Sequence, residues 1–222
     1  MSGGAMLIYR ERPAAREPAD GLLILHHGRG ADEQDLLELG HTLDPAHRMH
    51  VVTPRAPLKP AGSPGYHWYL VPRVGFPDTA SFHAAYAQLA ELHDELWRLT
   101  GIPPEKTVLG GFSMGSVMSY ALGLGAGRPR PGGILAFSGF LPTVAGWQPE
   151  LATRTGLAVF IAHGRNDPVI DVAFAREAQR RLSDGALEVS YHESDAGHWI
   201  EPAHVPLAMR WLDGAVGVDS AS

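Results

Sequence analysis

A serine between two glycines is the first candidate for chemistry in this sequence. The segment GFSMG places Ser113 two residues from both Gly111 and Gly115. It follows the apolar run KTVLGG and precedes SVMSYALGLG, which is rich in small and apolar residues. A sharp turn from strand to helix exposes a serine Oγ and needs glycine where it passes close to its neighbours. The pattern predicts a nucleophile at Ser113; the alternative is a serine that caps a helix after a glycine turn.

A serine hydroxyl is a weak nucleophile at neutral pH, so this prediction requires a histidine base and a carboxylate that orients it. After a strand-turn-helix serine, the acid and then the histidine are expected on loops that follow later strands. HGRNDPVI places Asp167 just after one predicted strand, and VSYHESDAGHWI places His198 just after the next. We therefore predict that Ser113, Asp167 and His198 are the catalytic residues.

Other carboxylates and histidines compete for these roles. Asp171 falls at or inside the following predicted helix, and Asp195 lies on the histidine loop itself. Both are worse placed than Asp167, although Asp195 stays open as the acid. His163 and His192 lie at predicted strand ends, where a structural histidine is the ordinary interpretation.

Acyl transfer also needs hydrogen-bond donors for the oxyanion of its tetrahedral intermediate. The usual donors are the backbone N–H after the nucleophile and another from the loop after an earlier strand. Met114 supplies the first, and Arg29 supplies the second from the glycine-rich segment LHHGRGADEQDL. A phosphate-binding loop is the alternative for that segment, but the sequence has neither G-x-G-x-x-G nor a Walker lysine there.

Apolar side chains on loops near the predicted site are candidates for substrate binding. These residues are Trp68, Tyr69, Phe140, Leu141, Val169 and Ile170. The alternative is that several of them pack their loops against the core.

Short apolar runs predict the strands that must position these residues. They span 21–27, 49–54, 106–111, 132–139, 157–164 and 187–193. Several are apolar at consecutive positions, as in parallel strands covered on both faces. Helical patterns between them complete a β-α-β-α alternation. The sequence thus predicts an α/β fold with a mostly parallel central sheet, helices on both faces, and chemistry at the carboxyl ends of the strands.

Helices are predicted from apolar residues that recur on one face and from start and stop signals. One begins near Asp32, its expected N-cap, and a longer one begins near Thr79 and ends before Gly101. The apolar face of the first helix consists of Leu36, Leu39 and Leu43. Two later helices are predicted from the apolar positions Phe174, Ala178 and Leu182 in one and from Pro206, Met209 and Leu212 in the other. Residues 54–78, rich in proline and glycine, predict a long ordered loop, and residues 138–157 are too few for a separate cap domain.

Length and composition limit the function classes. A chain of 222 residues predicts a single domain over 1–222, with frayed ends at 1–5 and 216–222. A net charge of -6 without long charged runs argues against nucleic acid and against an anionic membrane surface. The absence of cysteine excludes disulfides, thiolate metal sites and cysteine nucleophiles. No apolar run suits a signal peptide or a membrane span, so we expect a cytoplasmic protein.

Twelve histidines raise the question of a metal site. The sequence has no H-E-x-x-H motif, and His41, His47 and His50 lack a convincing spacing or a carboxylate companion. We therefore expect no metal and no cofactor. The expected partner is a small-molecule ester, and a homodimer is the assembly to test.

Four motifs in the same order resemble one known family. LHHGRGADEQDLL, GFSMGS, HGRNDPVI and AGHWI resemble the phospholipase/carboxylesterase family of serine α/β-hydrolases, which includes the acyl-protein thioesterases. The resemblance covers nearly the whole chain. It implies an α/β-hydrolase fold without a large cap domain, metal-independent hydrolysis of carboxylic esters or thioesters, a Ser113, Asp167 and His198 triad, and an oxyanion hole at Arg29 and Met114. Acyl-protein thioesterases usually have glutamine after the nucleophile, so Met114 weakens an assignment to protein deacylation.

The sequence therefore predicts a carboxylesterase-type serine hydrolase that works through an acyl-enzyme. Thioesters and lysophospholipids are further candidate substrates. Two alternatives stand beside it: a lactonase or perhydrolase that uses the same triad, and a non-catalytic ligand-binding protein on this fold. An intact triad argues against the second of these.

Overall fold

The computed structural model describes residues 6–217 of the chain. Across these residues, seven strands form one sheet in the order β1-β3-β2-β4-β5-β6-β7. The strands are β1 Tyr9–Arg12, β2 Gly21–His26, β3 Met49–Pro54, β4 Thr107–Phe112, β5 Gly133–Phe137, β6 Ala158–Gly164 and β7 Glu188–Ser194. All neighbours pair in parallel except β1, which is antiparallel to β3. The predicted mostly parallel sheet is confirmed.

Helices cover both faces of the sheet, as predicted. They are α1 Leu37–Leu43, α2 Thr79–Thr100, α3 Met114–Leu124, α4 Ala173–Asp184 and α5 Val205–Ala215. α1 and α5 contribute to one apolar cluster, which contains Leu43 and Leu212. α2, α3 and α4 pack through two other clusters, which contain Leu89 and Ala178. Apolar side chains on both faces of the strands explain why the strand sequences are apolar at consecutive positions.

The edge strand β1 is the strand that the sequence analysis missed. Its sequence is YRER, so it carries no apolar run, and two of its four side chains are exposed. β1 is held by its pairing with β3 and by the buried ion pair of Arg12 with Asp44, whose atoms lie 2.7 Å apart. These are contacts between distant segments, and a local pattern cannot report them.

The start of α1 was predicted wrongly. The helix begins at Leu37, five residues after Asp32, and the Asp32 carboxylate instead accepts a hydrogen bond from the Gln34 N–H at 2.9 Å in a preceding turn. Glu33 explains this displacement because its carboxylate binds Arg55 and its carbonyl oxygen accepts from Thr53. These two contacts hold the segment before α1 in a non-helical path.

The boundaries of α2 agree with the prediction. Asp78 caps the helix by accepting a hydrogen bond from the Ser81 N–H at 2.9 Å, and Gly101 ends it in the left-handed conformation with a φ of 69°. Within residues 6–217, no helix is long and apolar enough to cross a membrane.

The loop over 54–78 is ordered by the loop that follows β2. Tyr66 donates its N–H to the carbonyl oxygen of Ala31 at 2.7 Å, and Gly30 donates its N–H to the carbonyl oxygen of Tyr66 at 2.9 Å. Gly65 lies so close to the loop after β2 that a Cβ on Gly65 would collide with the backbone of Gly30. The two loops therefore form one rigid rim above the carboxyl ends of the strands.

Residues 138–157 contain a single short 3₁₀ turn, Leu151–Arg154, in place of a separate cap domain. At the C-terminus, Val216 is buried against the cluster shared by α1 and α5, although fraying was expected from residue 216. Gly217, also in that expected frayed end, is an exposed turn residue. Residues 1–5 and 218–222 lie outside the described residues.

Candidate active site

Ser113 lies on the tight turn between β4 and α3. Its φ is 55° and its ψ is -119°, a backbone conformation that costs an L-residue of order 1–3 kcal/mol. Gly115 is required at the turn because a Cβ there would collide with the carbonyl oxygen of His26. The strand-turn-helix setting predicted for Ser113 is therefore present, and its backbone is strained.

A chain of two hydrogen bonds joins Ser113, His198 and Asp167. His198 Nε2 lies 2.9 Å from Ser113 Oγ, and His198 Nδ1 lies 2.6 Å from Asp167 Oδ2. The carboxylate can only accept, so Nδ1 carries the proton and Nε2 is left to accept the serine hydroxyl. The three side chains that the sequence analysis selected from separate loops meet in one arrangement.

Asp167 is held firmly from its other side. Its Oδ1 accepts hydrogen bonds from the backbone N–H groups of Val169 at 2.8 Å and Ile170 at 2.9 Å. The Asp167 side chain has no exposed surface. These donors stabilise the ionised carboxylate and fix its direction toward His198.

The competing carboxylates have other partners. Asp171 accepts from the Ala173 N–H at 2.8 Å near the start of α4. Asp195 pairs with Arg165 at 3.0 Å, and its side chain is 83% exposed. Asp195, which the sequence left open as the acid, therefore points to solvent, while Asp167 occupies the position beside His198.

His163 supports Asp167, a role that the sequence analysis did not give it. Its Nε2 donates to the carbonyl oxygen of Ile170 at 2.8 Å and lies 3.4 Å from Asp167 Oδ2. Burial lowers the pKa of His163, so the ring stays neutral. Its position at the end of β6, four residues before Asp167, is the signal that could have indicated this role. The other rival, His192, bonds Ser190 and packs on Phe160, consistent with a structural histidine.

Two backbone N–H groups adjoin Ser113 without protein acceptors. Arg29 and Met114 both line the cleft beside Ser113, and within residues 6–217 neither backbone N–H donates to a protein atom. Met114 is the first residue of α3, where N–H groups lack intrahelical partners and favour negative charge. This arrangement can bind a developing oxyanion.

The ring of His27 holds the peptide group that carries the Arg29 N–H. His27 Nε2 accepts from the Ala56 N–H at 3.0 Å, so the ring proton is on Nδ1, which donates to the carbonyl oxygen of Gly28 at 2.7 Å. Burial lowers the pKa of His27 and favours this neutral form. Trp68 holds the same segment through its Nε1–H, which donates to the carbonyl oxygen of His27 at 2.9 Å.

A second buried network lies beneath the turn. Ser119 donates to the carbonyl oxygen of Gly115 at 3.0 Å, so its Oγ accepts from His26 Nδ1 at 2.8 Å. The remaining nitrogen, His26 Nε2, then accepts from His93 Nε2 at 3.2 Å. Burial lowers the pKa of His26 to about 3. The network links β2, α2 and α3 through neutral imidazoles.

Two clefts meet at Ser113. The first, which we call the Phe76 cleft, is narrow and mostly apolar, with a volume of about 50 Å³. It is lined by Arg29, Tyr69, Val71, Arg73, Val74, Gly75, Phe76, Pro77, Ser113, Met114, Phe140, Val169 and Ile170. The second, which we call the His198 cleft, is lined by Gly28, Arg29, Gly30, Ala31, Asp35, Phe112, Ser113, Val169 and His198.

Comparison with known proteins identifies the family. The family model described as Phospholipase/Carboxylesterase matches residues 11–213. The chain belongs to the phospholipase/carboxylesterase family.

Relatives and solved structures agree with this family. The esterase YpfH of Escherichia coli (strain K12) is 29% identical over 202 residues, covering 88% of this chain and 83% of the relative. Acyl-protein thioesterase 1 of Debaryomyces hansenii is 26% identical over 218 residues, covering 90% of this chain and 93% of the relative. The solved carboxylesterase of Bacillus cereus superposes with a TM-score of 0.83 at 25% identity, covering 95% of both chains. The solved structure of esterase PE8 superposes with a TM-score of 0.81 at 28% identity, covering 95% of this chain and 99% of PE8.

These matches establish the fold and the broad activity. The chain has an α/β-hydrolase fold, and it is a hydrolase of the class that comprises carboxylesterases and thioesterases. The strand-turn-helix serine and the acid and histidine on later loops lie where this fold places its chemistry.

Four of the six predicted substrate-binding residues line the Phe76 cleft of this family member. They are Tyr69, Phe140, Val169 and Ile170. Trp68 and Leu141 do not line it: Trp68 is fully buried against the His27 ring, and Leu141 packs in the apolar cluster that contains Tyr120. Tyr69 and Phe140 therefore line the cleft while their chain neighbours Trp68 and Leu141 pack in the interior, whereas Val169 and Ile170 both line it.

Residues 71–77 contribute a part of the Phe76 cleft wall that was not predicted from the sequence. This stretch lies within the 54–78 loop, which the sequence marked as ordered and irregular. The apolar types of Val74 and Phe76 within an irregular loop were the available signal. The structure leaves both side chains exposed, and a folded chain rarely groups exposed apolar side chains without a binding role.

The histidines considered for a metal site line neither the Phe76 cleft nor the His198 cleft. His41 and His47 stack with ring centroids 5.8 Å apart, and His50 Nε2 lies 3.0 Å from Glu11 on the neighbouring strand. In the part of the chain that the structure describes, no group of three or more His, Asp or Glu residues could hold a metal ion.

Proposed function

We propose that this family member is a serine carboxylesterase in which Ser113, His198 and Asp167 form the catalytic triad. The observation that carries the proposal is the continuous hydrogen-bonded chain from Asp167 through His198 to Ser113 Oγ. The strained φ of Ser113 supports it, because such strain persists where the surrounding fold maintains it for function.

In the first half of the reaction, His198 Nε2 takes the proton of Ser113 as Oγ attacks the ester carbonyl carbon. The carbonyl oxygen becomes an oxyanion, which accepts hydrogen bonds from the backbone N–H groups of Arg29 and Met114. Asp167 stabilises the imidazolium that forms. Collapse of the intermediate breaks the bond to the alcohol oxygen, which receives the proton from His198 Nε2.

In the second half, water attacks the acyl-enzyme ester. His198 takes a proton from the water as the oxygen bonds to the acyl carbon, and it returns that proton to Ser113 Oγ as the acyl bond breaks. The products are an alcohol and a carboxylic acid. No cofactor is needed to balance these steps.

The two clefts then have different roles. His198 protonates the leaving oxygen, so the alcohol part of the ester lies on the side of the His198 cleft, where the imidazole forms part of the wall. The acyl part lies in the Phe76 cleft, whose walls include Tyr69, Met114 and Phe140. A narrow apolar cleft favours acyl groups of short length.

The proposed substrates are carboxylic esters, with thioesters and lysophospholipids as further candidates. Lactonase or perhydrolase activity with the same triad is the alternative, and a peroxide-dependent assay separates it. A panel of aryl esters of graded acyl length, with thioesters, lysophospholipids and lactones beside them, assigns the preference. Methionine at 114 in place of glutamine argues against protein deacylation as the principal activity.

A fluorophosphonate probe tests the central proposal. The wild-type chain should be labelled at Ser113 and should hydrolyse aryl esters, and Ser113→Ala should lose the label and on the order of 10³-fold or more in turnover. Ester hydrolysis by Ser113→Ala at the wild-type rate would overturn the proposal. Absence of both labelling and hydrolysis in the wild type would favour a ligand-binding protein.

The single domain over 1–222, the cytoplasmic location and the homodimer also remain proposals. Limited proteolysis tests the first, and cell fractionation tests the second. Light scattering after size-exclusion chromatography tests the third. We propose no nucleic-acid partner and no integral membrane association.

A further inference from the structure

A tight turn over residues 73–76 forms part of the wall of the Phe76 cleft and carries an arginine. Phe76 donates its N–H to the carbonyl oxygen of Arg73 at 3.0 Å, and Gly75 takes a φ of 81° at the tip. The Arg73 guanidinium carbon lies 3.6 Å from the centroid of the Phe76 ring. Phe76 is itself part of the cleft wall, so the positive charge of Arg73 is stacked on that wall.

The turn is fixed from outside by two contacts. Thr143 donates its hydroxyl to the carbonyl oxygen of Gly75, and the Phe174 ring packs against the Gly75 Cα so closely that a Cβ would lie 2.6 Å from it. The Phe174 ring in turn packs on Phe140, with centroids 5.3 Å apart. Arg73 is therefore presented from a supported turn, which lowers the entropy lost when it binds a ligand.

The charge of the Phe76 cleft is one-sided. Arg29 and Arg73 line it, and among the described residues no Asp or Glu does. Neither arginine forms an ion pair within residues 6–217, whereas Arg165 pairs with Asp195 and Arg176 pairs with Glu193. The chain as a whole is acidic, with a net charge of -6. Two arginines that line one mostly apolar cleft, with no carboxylate beside them there, form a local positive field.

The His198 cleft, on the alcohol side of the site, differs from the Phe76 cleft in its charge. Asp35 lines the His198 cleft together with Arg29, so the negative charge there offsets the positive one. A ligand carboxylate is consequently favoured on the acyl side. A guanidinium binds a carboxylate through paired N–H donors, and such charge-assisted bonds are stronger beside apolar walls than in open water.

We propose that the Phe76 cleft selects acyl groups that end in a carboxylate, with Arg73 as the main recognition residue and the Arg29 side chain as its support. The substrate class is half-esters of dicarboxylic acids, in which one carboxyl is esterified and the other is free. This inference rests on the proposed function, because it assigns the acyl group that Ser113 would carry.

The test compares kcat/KM for aryl hemisuccinate, hemiglutarate and hemiadipate with aryl esters of uncharged acyl groups of matched length. The rate measured with Ser113→Ala is subtracted because half-esters can cleave themselves. At low salt, the wild type should prefer the anionic ester by about tenfold at one chain length or more. That preference should fall as ionic strength rises.

The matched variants are Arg73→Gln and Arg210→Gln. Arg210 is an exposed arginine on α5 that lines a different depression, so its substitution removes the same charge away from Ser113. Arg73→Gln should abolish most of the anionic preference, Arg73→Lys should keep part of it, and Arg73→Glu should reverse it. Arg210→Gln should leave the ratio of anionic to neutral kcat/KM at the wild-type value.

An equal ratio in the wild type and Arg73→Gln at every chain length would overturn the inference while ester hydrolysis continued. Should Arg73→Gln fail to fold, the salt dependence of the wild-type ratio decides, and a ratio independent of salt contradicts the inference. Failure of the proposed function looks different, because the wild type would then hydrolyse neither class of ester and Ser113 would not react with the fluorophosphonate.

Discussion

His27 Nδ1 lies 2.7 Å from the carbonyl oxygen of Gly28, and that carbonyl shares a peptide group with the Arg29 N–H. The orientation of the ring therefore fixes the orientation of a proposed oxyanion donor. The tautomer is determined by the other ring nitrogen, which accepts the Ala56 N–H. We therefore infer that His27 is a positioning residue, which orients the proposed oxyanion donor through the carbonyl oxygen of Gly28.

Two substitutions of His27 separate its two hydrogen bonds. An asparagine amide reaches the Nδ1 position and can still donate to the carbonyl oxygen of Gly28, whereas a glutamine amide reaches the Nε2 position and keeps only the Ala56 contact. We expect His27→Gln to lower kcat by about tenfold to a hundredfold with little change in KM, and His27→Asn to lower it less. Steady-state kinetics of both variants, with thermal unfolding as the control for folding, measures this. Equal kcat values for the two variants would contradict the positioning role.

The choice of Asp167 over Asp195 gives a matched pair of substitutions. Asp167→Asn removes the acceptor for His198 Nδ1–H and favours the wrong imidazole tautomer, so kcat should fall by on the order of 10⁴. Asp195→Asn removes a carboxylate that pairs with Arg165 in solvent, and such exposed pairs contribute little. Its kcat should stay within about twofold of the wild type. A large loss in Asp195→Asn alone would reverse the assignment of the acid.

The backbone strain at Ser113 makes a prediction about stability. Glycine adopts the observed φ of 55° without the steric cost that any L-side chain meets there, whereas alanine keeps that cost. Both variants lose the hydroxyl, and the strain of order 1–3 kcal/mol that alanine keeps exceeds the cost of about 0.4–1 kcal/mol that glycine adds through the more flexible unfolded chain. We expect the free energy of unfolding of Ser113→Gly to exceed that of Ser113→Ala by about 1 kcal/mol, measured by urea denaturation. A glycine variant less stable than the alanine variant by about 1 kcal/mol, the full cost of glycine in the unfolded chain, would show that the turn is not strained.

The parts predictable from the sequence are those encoded locally. The interior strands are apolar along their length because helices cover both sheet faces, and Ser113 is flanked by the glycines that its turn requires. Asp167 and His198 could be selected because each follows one of these strands directly. The order of the residues along the chain then limited the candidates for the acid and the base to the loops after β6 and β7.

The features that were predicted wrongly or missed depend on contacts between segments that are distant in the sequence. β1 forms because β3 offers it an edge, and α1 starts late because Arg55 and Thr53 hold Glu33. The direction of Trp68 is decided by its bond to the carbonyl oxygen of His27, which no pattern within an irregular loop can report. The position of His163 beside Asp167 likewise depends on the turn that places the carbonyl oxygen of Ile170 within hydrogen-bond distance of the His163 ring.

The buried His26 predicts a loss of stability in acid. Burial lowers its pKa from 6.5 to about 3 in the folded chain, so between these values the unfolded chain binds the proton and the folded chain does not. The free energy of unfolding should therefore fall as the pH drops below 6.5, by about 1.4 kcal/mol per pH unit for this group, until about pH 3. Burial of His93 lowers its pKa too and adds to the effect.

Urea denaturation at pH 7, 6, 5 and 4 measures this slope. In His26→Gln, the amide can still donate and accept within the network but does not titrate, so the slope should be shallower by about 1 kcal/mol per pH unit. His41→Gln is the control, because the His41 side chain is 40% exposed and lies outside this network. If His26→Gln and the wild type lost stability in parallel between pH 6 and pH 4, protonation of His26 would not be the cause. A shallower slope in His26→Gln but not in His41→Gln would assign the acid sensitivity to the network beneath the Ser113 turn.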